Sequence, residues 1–151
     1  METVKIRHAT IDDIPQLFNL MNQYIVDFYN CPRPREEALK KLINHLLENP
    51  YEGIQFVAET ETNRLVGFAT LYFTFNTLEV KRMAFLYDLF VTPKIRGQKI
   101  GERLLNSCLS YVRENDYSHM FWETAHDNEV AKNLYDKIGA KKQVWLNYEI
   151  N

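Results

Sequence analysis

The stretch from Lys94 to Leu105, KIRGQKIGERLL, combines two glycines with four basic side chains. It follows an apolar run that ends at Pro93 and precedes a second apolar run with helical spacing. The first N–H groups of a helix have no acceptor within it, and aligned peptide dipoles leave partial positive charge there. Glycines let a ligand approach such a turn closely. The pattern predicts a local anion site, most naturally for phosphate, with an incidental basic loop as the alternative. The four basic residues are Lys94, Arg96, Lys99 and Arg103.

The spacing of the glycines excludes two other phosphate-binding motifs. It lacks the G-x-x-x-x-G-K-S/T pattern of P-loop NTPases and the G-x-G-x-x-G pattern of dinucleotide-binding folds. The formal net charge of the chain is −2, so bulk electrostatics gives no reason to expect a nucleic-acid partner. No spacing of His, Cys and Asp indicates a metal site. We therefore expect local anion binding without nucleic acid and without metal.

Length and composition indicate one globular domain spanning residues 1–151. Hydrophobic residues make up 46% and charged residues 25% of the chain, which are ordinary values. The two cysteines, Cys31 and Cys108, argue against a disulfide framework and favour a reducing compartment. The N-terminal METVKIRHATIDD has no apolar signal core, and no apolar run approaches the roughly 20 residues of a membrane span. We therefore expect a cytoplasmic protein with no membrane partner.

Apolar periodicity predicts a chain order of β-α-α-β-β-β-α-β-α-β. A hairpin meander at the centre feeds a strand–helix–strand–helix–strand succession, so we expect a mixed sheet flanked by helices. Gly139 should end the last helix. The predicted strands are 4–9, 54–60, 64–75, 82–92, 118–125 and 141–150, and the predicted helices are 11–29, 35–48, 98–115 and 128–138.

A second motif, NEVAKNLYDKIGA at 128–140, brings the chain close to a known family. Together with the basic turn it resembles the GNAT superfamily of acetyl-CoA-dependent N-acetyltransferases, over essentially the whole chain. Arg96 and Gly101 match the first and last positions of the phosphate-binding signature Q/R-x-x-G-x-G/A. The fourth position of the signature, normally glycine, is Lys99 here. A lysine costs on the order of 1 kcal/mol at this position if the backbone needs positive φ. The second motif matches the family's C-terminal pattern at Asn128, Ala131, Tyr135, Lys137 and Gly139.

The resemblance implies an α/β (α+β) fold, with a mixed central sheet of about six to seven strands flanked by about four helices. It implies acetyl-CoA as co-substrate. The main chain of the apolar strand would pair with the pantetheine arm and polarise the thioester carbonyl. The basic turn would hold the pyrophosphate, and an asparagine would contact the pantetheine. The residues implied in cofactor binding are Leu89, Phe90, Val91, Arg96, Gly97, Gln98, Lys99, Ile100, Gly101, Asn128 and Tyr135.

The resemblance also implies direct transfer, in which an amine attacks the thioester and the departing thiolate is protonated. Tyr135 matches the family's general acid, although helical spacing alone would make it a packing residue. Asp88, beside the thioester site, is the first choice as general base, with a structural role as the alternative. Glu123 and His126 are the other candidates. Tyr87 stands where the polyamine acetyltransferases have glutamate, so their substrate chemistry does not transfer directly.

The acceptor class stays open between a small amine and a protein lysine or N-terminus. Parts of the chain resemble the small histone and protein acetyltransferases (VDFY and YDLFV), and LVGFATLYFTF resembles the spermidine/spermine N-acetyltransferases. Residues 28–52 and 76–81 would supply the recognition surface. The same analogy implies a homodimer, with the aromatic C-terminal strand at the interface. The alternatives are a non-catalytic acyl-CoA sensor of the same fold, and an interaction domain that binds no coenzyme.

Overall fold

The computed structural model describes residues 2–95 and 97–151. Its strands form one sheet in the order β1-β2-β3-β4-β5. Neighbouring strands are antiparallel, except that β5 runs parallel to β4. The α/β class with a mixed sheet and four α-helices is confirmed. The elements are β1 (Val4–His8), α1 (Ile14–Asn22), α2 (Glu36–Glu48), β2 (Gly53–Thr60), β3 (Leu65–Asn76), β4 (Lys81–Val91), α3 (Ile100–Glu114), β5 (Met120–Phe121) and α4 (Glu129–Lys137).

Helices cover both faces of this sheet, each with its own apolar cluster. On one face α3 packs Leu104 and Cys108 against β2, β3 and β4. On the other face α1 and α2 pack Leu17 and Ile43 against Val57 and its neighbours. Because side chains alternate along a strand, each strand supplies residues to both layers in turn. The sheet is therefore buried between two layers of helices, and its central strands support the residues of a site.

The helix predicted over 11–29 is one helical path with three geometries. Ile11–Asp13 is a 3-10 turn, α1 follows, and Gln23–Phe28 is π-helical. The N–H of Tyr29 donates to the carbonyl of Tyr24 at 3.1 Å, the five-residue step of a π-helix. A π segment re-aims its side chains relative to an α-helix, and such segments are frequent at functional sites. Here it turns Tyr24 onto the sheet, 5.5 Å from the ring of Phe68 and 5.7 Å from Phe90.

The prediction of a strand over 141–150 is wrong for the single chain. The strand predicted over 118–125 is present only as Met120–Phe121. Within the described residues the sheet therefore has five strands rather than six or seven. Residues 140–151 form neither helix nor strand. An amphipathic strand forms only where a sheet edge supplies hydrogen bonds and an apolar surface, and this segment has neither. Its exposed apolar residues are Val144, Trp145, Leu146, Tyr148 and Ile150, between 79% and 96% exposed.

The end of α4 follows the prediction closely. Gly139 has φ of +85°, the left-handed conformation that glycine adopts without steric cost. Its N–H donates to the carbonyl of Asp136 at 3.1 Å, and the N–H of Ala140 donates to that of Tyr135 at 2.9 Å. This is the Schellman arrangement of a helix C-terminus. It fixes the last turn of α4, which carries Tyr135.

Candidate active site

The parallel strands β4 and β5 separate after one short pairing. Ala84 pairs with Met120 and Phe85 with Phe121, while β4 keeps its pairing with β3 as far as Val91. Beyond Phe85, the β5-facing edge of β4 has no strand partner among residues 2–95 and 97–151. Free backbone N–H and C=O groups along such an edge can bind a ligand that carries amides. The open edge includes the predicted pantetheine-binding residues, Leu89 to Val91.

A cleft of about 230 Å³ lies along this part of β4. The π-helical segment forms the other wall of the cleft, so it faces the open edge of β4. Leu89 and Val91 also pack against the α3-side core, which fixes the strand from behind. The residues lining the cleft are Gln23, Asp27, Phe28, Leu89, Phe90, Val91 and Pro93.

The start of α3 has the backbone geometry that the anion-site prediction requires. Lys99 caps the helix with φ of 55° and ψ of 32°, so the residue in the family's glycine position is indeed left-handed. Gly97 has φ of +82°, and a Cβ there would meet no atom within 4 Å; its conformation, not space, favours glycine. The helix begins at Ile100, leaving the N–H groups of Ile100 and Gly101 without intrahelical acceptors. Arg96 lies outside the described residues.

Two charged side chains near this turn already have partners. The Arg103 guanidinium donates to the carbonyl of Val4 at 2.6 Å, so it stabilises the junction of α3 with β1. Glu102, an acid in the first turn of α3, pairs with Lys137 of α4 at 3.1 Å. This pairing offsets a negative charge that would oppose an anion at the helix start. Of the four predicted bases, the exposed Lys94 and Lys99 extend into solvent.

A β-bulge places Asp88 opposite the helices α1 and α2. Thr70 pairs with Asp88 but Leu71 pairs with Leu86, so Tyr87 is an extra residue in β4. Before the bulge Leu86 joins the α3-side cluster, and after it Phe90 joins the α1/α2-side cluster. A bulge of this kind reverses the alternation of faces. Tyr87 and Asp88 therefore lie on the same face, and Asp88 points towards the π-helical wall.

Asp88 is 6% exposed, and burial raises the pKa of its carboxyl group above the ordinary value. The nearby hydroxyls of Thr70 and Tyr24 act in the opposite direction, because a hydroxyl beside a carboxylate favours its ionised form. The Tyr24 hydroxyl donates to the carbonyl oxygen of Tyr87 at 3.4 Å. The result is a carboxylate in an apolar layer with two hydroxyls close to it.

Tyr135 lies on α4 and packs against the α3-side core. Its ring packs edge-on against Trp122 at 5.2 Å between centroids. Burial is the main cause that raises the pKa of its hydroxyl, and the neighbouring Tyr29 adds to it. The phenol therefore keeps its proton at neutral and mildly alkaline pH, as a general acid requires. Tyr29 is also one of the groups that raise the pKa of Tyr24, so it stands between Tyr135 and the Asp88 pocket.

Asn128 begins α4, and its Oδ1 accepts a hydrogen bond from the N–H of Ala131 at 3.2 Å. This cap fixes the side chain and leaves the Nδ2 donor to other partners. Glu123 and His126, the other candidates for the base, are exposed between β5 and α4. Burial raises the pKa of the Cys108 thiol to about 12, so this thiol is not a nucleophile. The free thiol of Cys31 is exposed.

Sequence reasoning missed the residues that surround Asp88 from other elements, Tyr24, Tyr29 and Thr70. The π-helical turn that directs Tyr24 is invisible in a pattern of apolar spacing. One signal was present in β4: Asp88 is a charged residue inside an otherwise continuous apolar run. A charge in a buried strand needs a special environment.

Comparisons with known proteins agree with this geometry. Residues 15–140 match the model of the Acetyltransferase (GNAT) family. The chain belongs to the GNAT acetyltransferase family. A Bacillus subtilis protein, "Uncharacterized N-acetyltransferase YhfO", is 32% identical over 149 residues, covering 98% of this chain and 97% of that protein. The mouse thialysine N-epsilon-acetyltransferase is 26% identical over 161 residues, covering 98% and 92%. A crystal structure of a probable acetyltransferase superposes with a TM-score of 0.86 at 30% identity, covering 97% of each chain.

Membership in this family supports an acyltransferase and argues against an interaction domain without coenzyme, and the family uses acetyl-CoA. Among residues 2–95 and 97–151, no group of three or more His, Cys, Asp or Glu is placed to hold a metal ion. In the same part of the chain, no helix has the length and apolar character to cross a membrane.

Replacing Lys99 by Gly should raise the free energy of unfolding by about 0.5–1 kcal/mol. Relief of the left-handed strain exceeds the entropy that glycine adds to the unfolded chain. Lys94 is the matched control, because it is also exposed but has no positive φ; Lys94→Gly should destabilise. Urea unfolding of both variants measures the difference, and equal losses of stability would contradict the strain at Lys99.

Proposed function

We propose that residues 1–151 form one N-acetyltransferase domain that transfers the acetyl group of acetyl-CoA directly to a primary amine. The observation that carries this proposal is the open edge of β4 at Leu89–Val91, which leads through Pro93 into the start of α3. An extended amide-bearing chain pairs with such an edge, and a pyrophosphate suits exposed N–H groups at a helix start. Acetyl-CoA carries both groups in that order.

In this proposal the donor lies along the cleft between the π-helical segment and β4. Backbone groups of Leu89 to Val91 bind the pantetheine amides, and the Asn128 amide contacts the same arm. The turn from Gly97 to Gly101, with Gln98, Lys99 and Ile100, holds the pyrophosphate through its N–H groups. The predicted contact of Arg96 also remains part of the proposal. Geometry supports these roles, because Leu89 to Val91 line the cleft and the chain continues through Pro93 into the turn that starts α3.

The reaction then needs two proton transfers. Asp88 receives a proton from the ammonium, directly or through a water molecule, and the freed amine attacks the thioester carbonyl carbon. A carbon–nitrogen bond forms as the carbon–sulfur bond breaks. Tyr135 gives its hydroxyl proton to the departing thiolate and is reprotonated, through solvent, by the proton that the acetylated nitrogen releases. The products are the N-acetylated amine and free coenzyme A. The raised pKa of Tyr135 supports its role as an acid.

The acceptor is a primary amine, either a small molecule or a lysine or N-terminus of a protein. Two acidic residues face this region, Asp27 in the cleft wall and Asp88 behind it. The exposed rings of Phe28, Tyr29 and Tyr87 can add cation–π attraction to an ammonium group. The mouse relative named for thialysine, an amine on an amino-acid side chain, is consistent with this class.

Thiol release with acetyl-CoA and a panel of amines tests the proposal. Thermal unfolding with acetyl-CoA is the companion measurement, because a ligand that binds only the folded state raises the melting temperature. Turnover of at least one primary amine together with a raised melting temperature is expected. A raised melting temperature without turnover of any amine would favour the acyl-CoA sensor, and no shift at all would contradict the proposed donor site.

Tyr135→Phe should lower kcat by about 10²- to 10⁴-fold, the range that a general acid contributes. Acetyl-CoA affinity should change little, because the ring still packs against Trp122. Tyr117→Phe is the control, since Tyr117 packs against Phe73 and does not line the cleft. Steady-state kinetics and calorimetric titration of acetyl-CoA separate the two effects. Wild-type kcat in Tyr135→Phe across the pH range would remove this residue from the mechanism.

We also propose that the enzyme is a cytoplasmic homodimer in which the C-terminal segment of each copy packs on the other. Positions 144, 146, 148 and 150 are all apolar, the alternation of a half-buried strand, yet they are exposed in the single chain. The outer edge of β5, the last strand of the sheet, has no strand partner within the described residues. An exposed apolar strand and an open edge favour association between copies.

Sedimentation velocity at micromolar concentration should give a dimer for the full chain and a monomer after truncation behind Ala140. Leu146→Asp should weaken the dimer because it places a charge on the apolar side of the segment. Asn147→Asp, on the opposite side of the same segment, is the matched control and should remain dimeric. A monomeric full chain would refute the dimer.

A further inference from the structure

Three buried polar side chains form a row across the middle of the sheet. Gln55 of β2 pairs with Thr70 of β3, and Thr70 pairs with Asp88 of β4. Their exposures are 5%, 0% and 6%. The flanking residues on this face, Val57 and Phe68, belong to the apolar cluster under α1 and α2. Polar side chains are rare in such a layer unless each has a partner.

The hydrogen bonds along the row have one direction. The Gln55 Nε2 donates to Thr70 Oγ1 at 3.0 Å and lies 3.6 Å from the sulfur of Met21. A threonine hydroxyl has a single proton. Thr70 and Asp88 are direct cross-strand neighbours. With the Thr70 oxygen accepting from Gln55, the Thr70 proton can turn to the carboxylate, and this contact lowers the pKa of Asp88. The amide therefore acts on the carboxylate through one hydroxyl.

The row ends at the candidate active site. The Tyr24 hydroxyl, from the π-helical wall, lies near Asp88 and lowers the pKa of its carboxyl group, and it donates to the carbonyl oxygen of Tyr87 at 3.4 Å. Leu89, the next residue along β4, lines the cleft. A carboxylate has about four acceptor positions, so contacts with two hydroxyls leave others for an arriving ammonium group. A purely apolar layer would pack equally well without Gln55 and Thr70, so the row calls for a role beyond packing.

We propose that Gln55 and Thr70 are positioning residues for acetyl transfer, holding the Asp88 carboxylate ionised and oriented towards the acceptor. The proposal rests on the function proposed above, in which Asp88 accepts the proton of the ammonium. Thr70 supplies the hydrogen bond, and Gln55 fixes the rotamer of the Thr70 hydroxyl. Neither residue touches the substrate.

The surroundings of Asp88 leave few other groups to set its charge. The titratable groups that face it are Tyr24 from the π-helical segment and Tyr72 from β3, with Tyr87 beside it on β4. Burial and the nearby Asp88 raise the pKa of Tyr72 to about 12, so it stays neutral at working pH. Met21 of α1 meets the row at Gln55. Asp88 forms no ion pair within the described residues. The hydroxyl donors are therefore the main groups that oppose the effect of burial.

The sign of the expected pH effect follows from these bonds. Donors to the ionised carboxylate lower its pKa, so their removal must raise it further. The acidic limb of kcat/KM should then move to higher pH. Thr70→Val removes the donor with little change of shape, and Thr70→Ser keeps it. Gln55→Met should give a smaller shift in the same direction, because the Thr70 hydroxyl survives but turns freely. Thr74→Val, on an exposed part of β3, is the control.

A carboxyl ¹³C NMR titration of Asp88, assigned with Asp88→Asn, measures the effect without any turnover. Asp88 should titrate at higher pH in Thr70→Val and Gln55→Met than in the wild type, Thr70→Ser or Thr74→Val. In parallel, kcat/KM of Thr70→Val should be about tenfold lower on the acidic limb and should recover at high pH, as expected for one lost hydrogen bond to a charged group. Using one amine throughout cancels the ionisation of the amine itself.

Each outcome separates the two proposals. If the wild type acetylates no amine, the proposed function fails, whereas the NMR titration still tests the row. If amines are acetylated but the Asp88 titration and the acidic limb coincide in Thr70→Val and wild type, the row has only a packing role. Should Thr70→Val fail to fold, Gln55→Met decides the question by the same two measurements, and an unshifted titration overturns the proposal.

Discussion

The separation of β4 from β5 is the constraint on which the site depends. Two parallel strands that stay paired along their length satisfy each other's backbone groups, whereas here pairing stops after Phe85 and Phe121. The remainder of β4 is held by β3 on one side and must find its other hydrogen bonds elsewhere. Helices on both faces keep that strand in place, so the exposed backbone is rigid. Rigid donors and acceptors bind an extended ligand with little loss of entropy.

The bulge at Tyr87 converts this scaffold into a chemical site. An extra residue in β4 reverses the faces of all that follow, so Asp88 enters the apolar layer under α1 instead of the α3 side. A carboxylate in that layer is unfavourable without partners. The Gln55–Thr70 row and Tyr24 supply them. The same burial that raises the pKa of Asp88 suits a group that must take up a proton from an amine.

A second locally unfavourable conformation lies at the beginning of α3. Lys99 holds a left-handed conformation that is unfavourable for a residue with a side chain, and it does so where helix dipole and free N–H groups coincide. Strain at a site persists when the surrounding structure determines it. Here Ile100 is buried in the α3-side core, and Lys137 pairs with Glu102 in the first turn. Packing behind the turn therefore maintains a backbone that the side chain by itself disfavours.

Much of the fold could be predicted from local patterns. The apolar spacing of α2, α3 and α4, the long strands β3 and β4, and the glycine that ends α4 depend on residues near each other in the chain, and all are present. The glycine-rich turn and the motif containing Tyr135 indicated the family for the same reason. The acceptor environment was not predictable in this way, because Thr70, Tyr24 and Tyr29 approach Asp88 from three other parts of the chain.

The sequence by itself therefore determined the class of fold, the family and the residues of the two motifs, since these reside in periodicity and spacing. Tertiary structure alone decided which face Asp88 occupies and which hydroxyls lie near it. A bulge and a π-helical turn each insert one residue and so redirect the side chains that follow, but neither has a characteristic amino-acid composition. It also decided that the alternating segment after Ala140 is no strand in the single chain. An amphipathic strand encodes its own apolar face, but the edge on which it pairs must come from elsewhere.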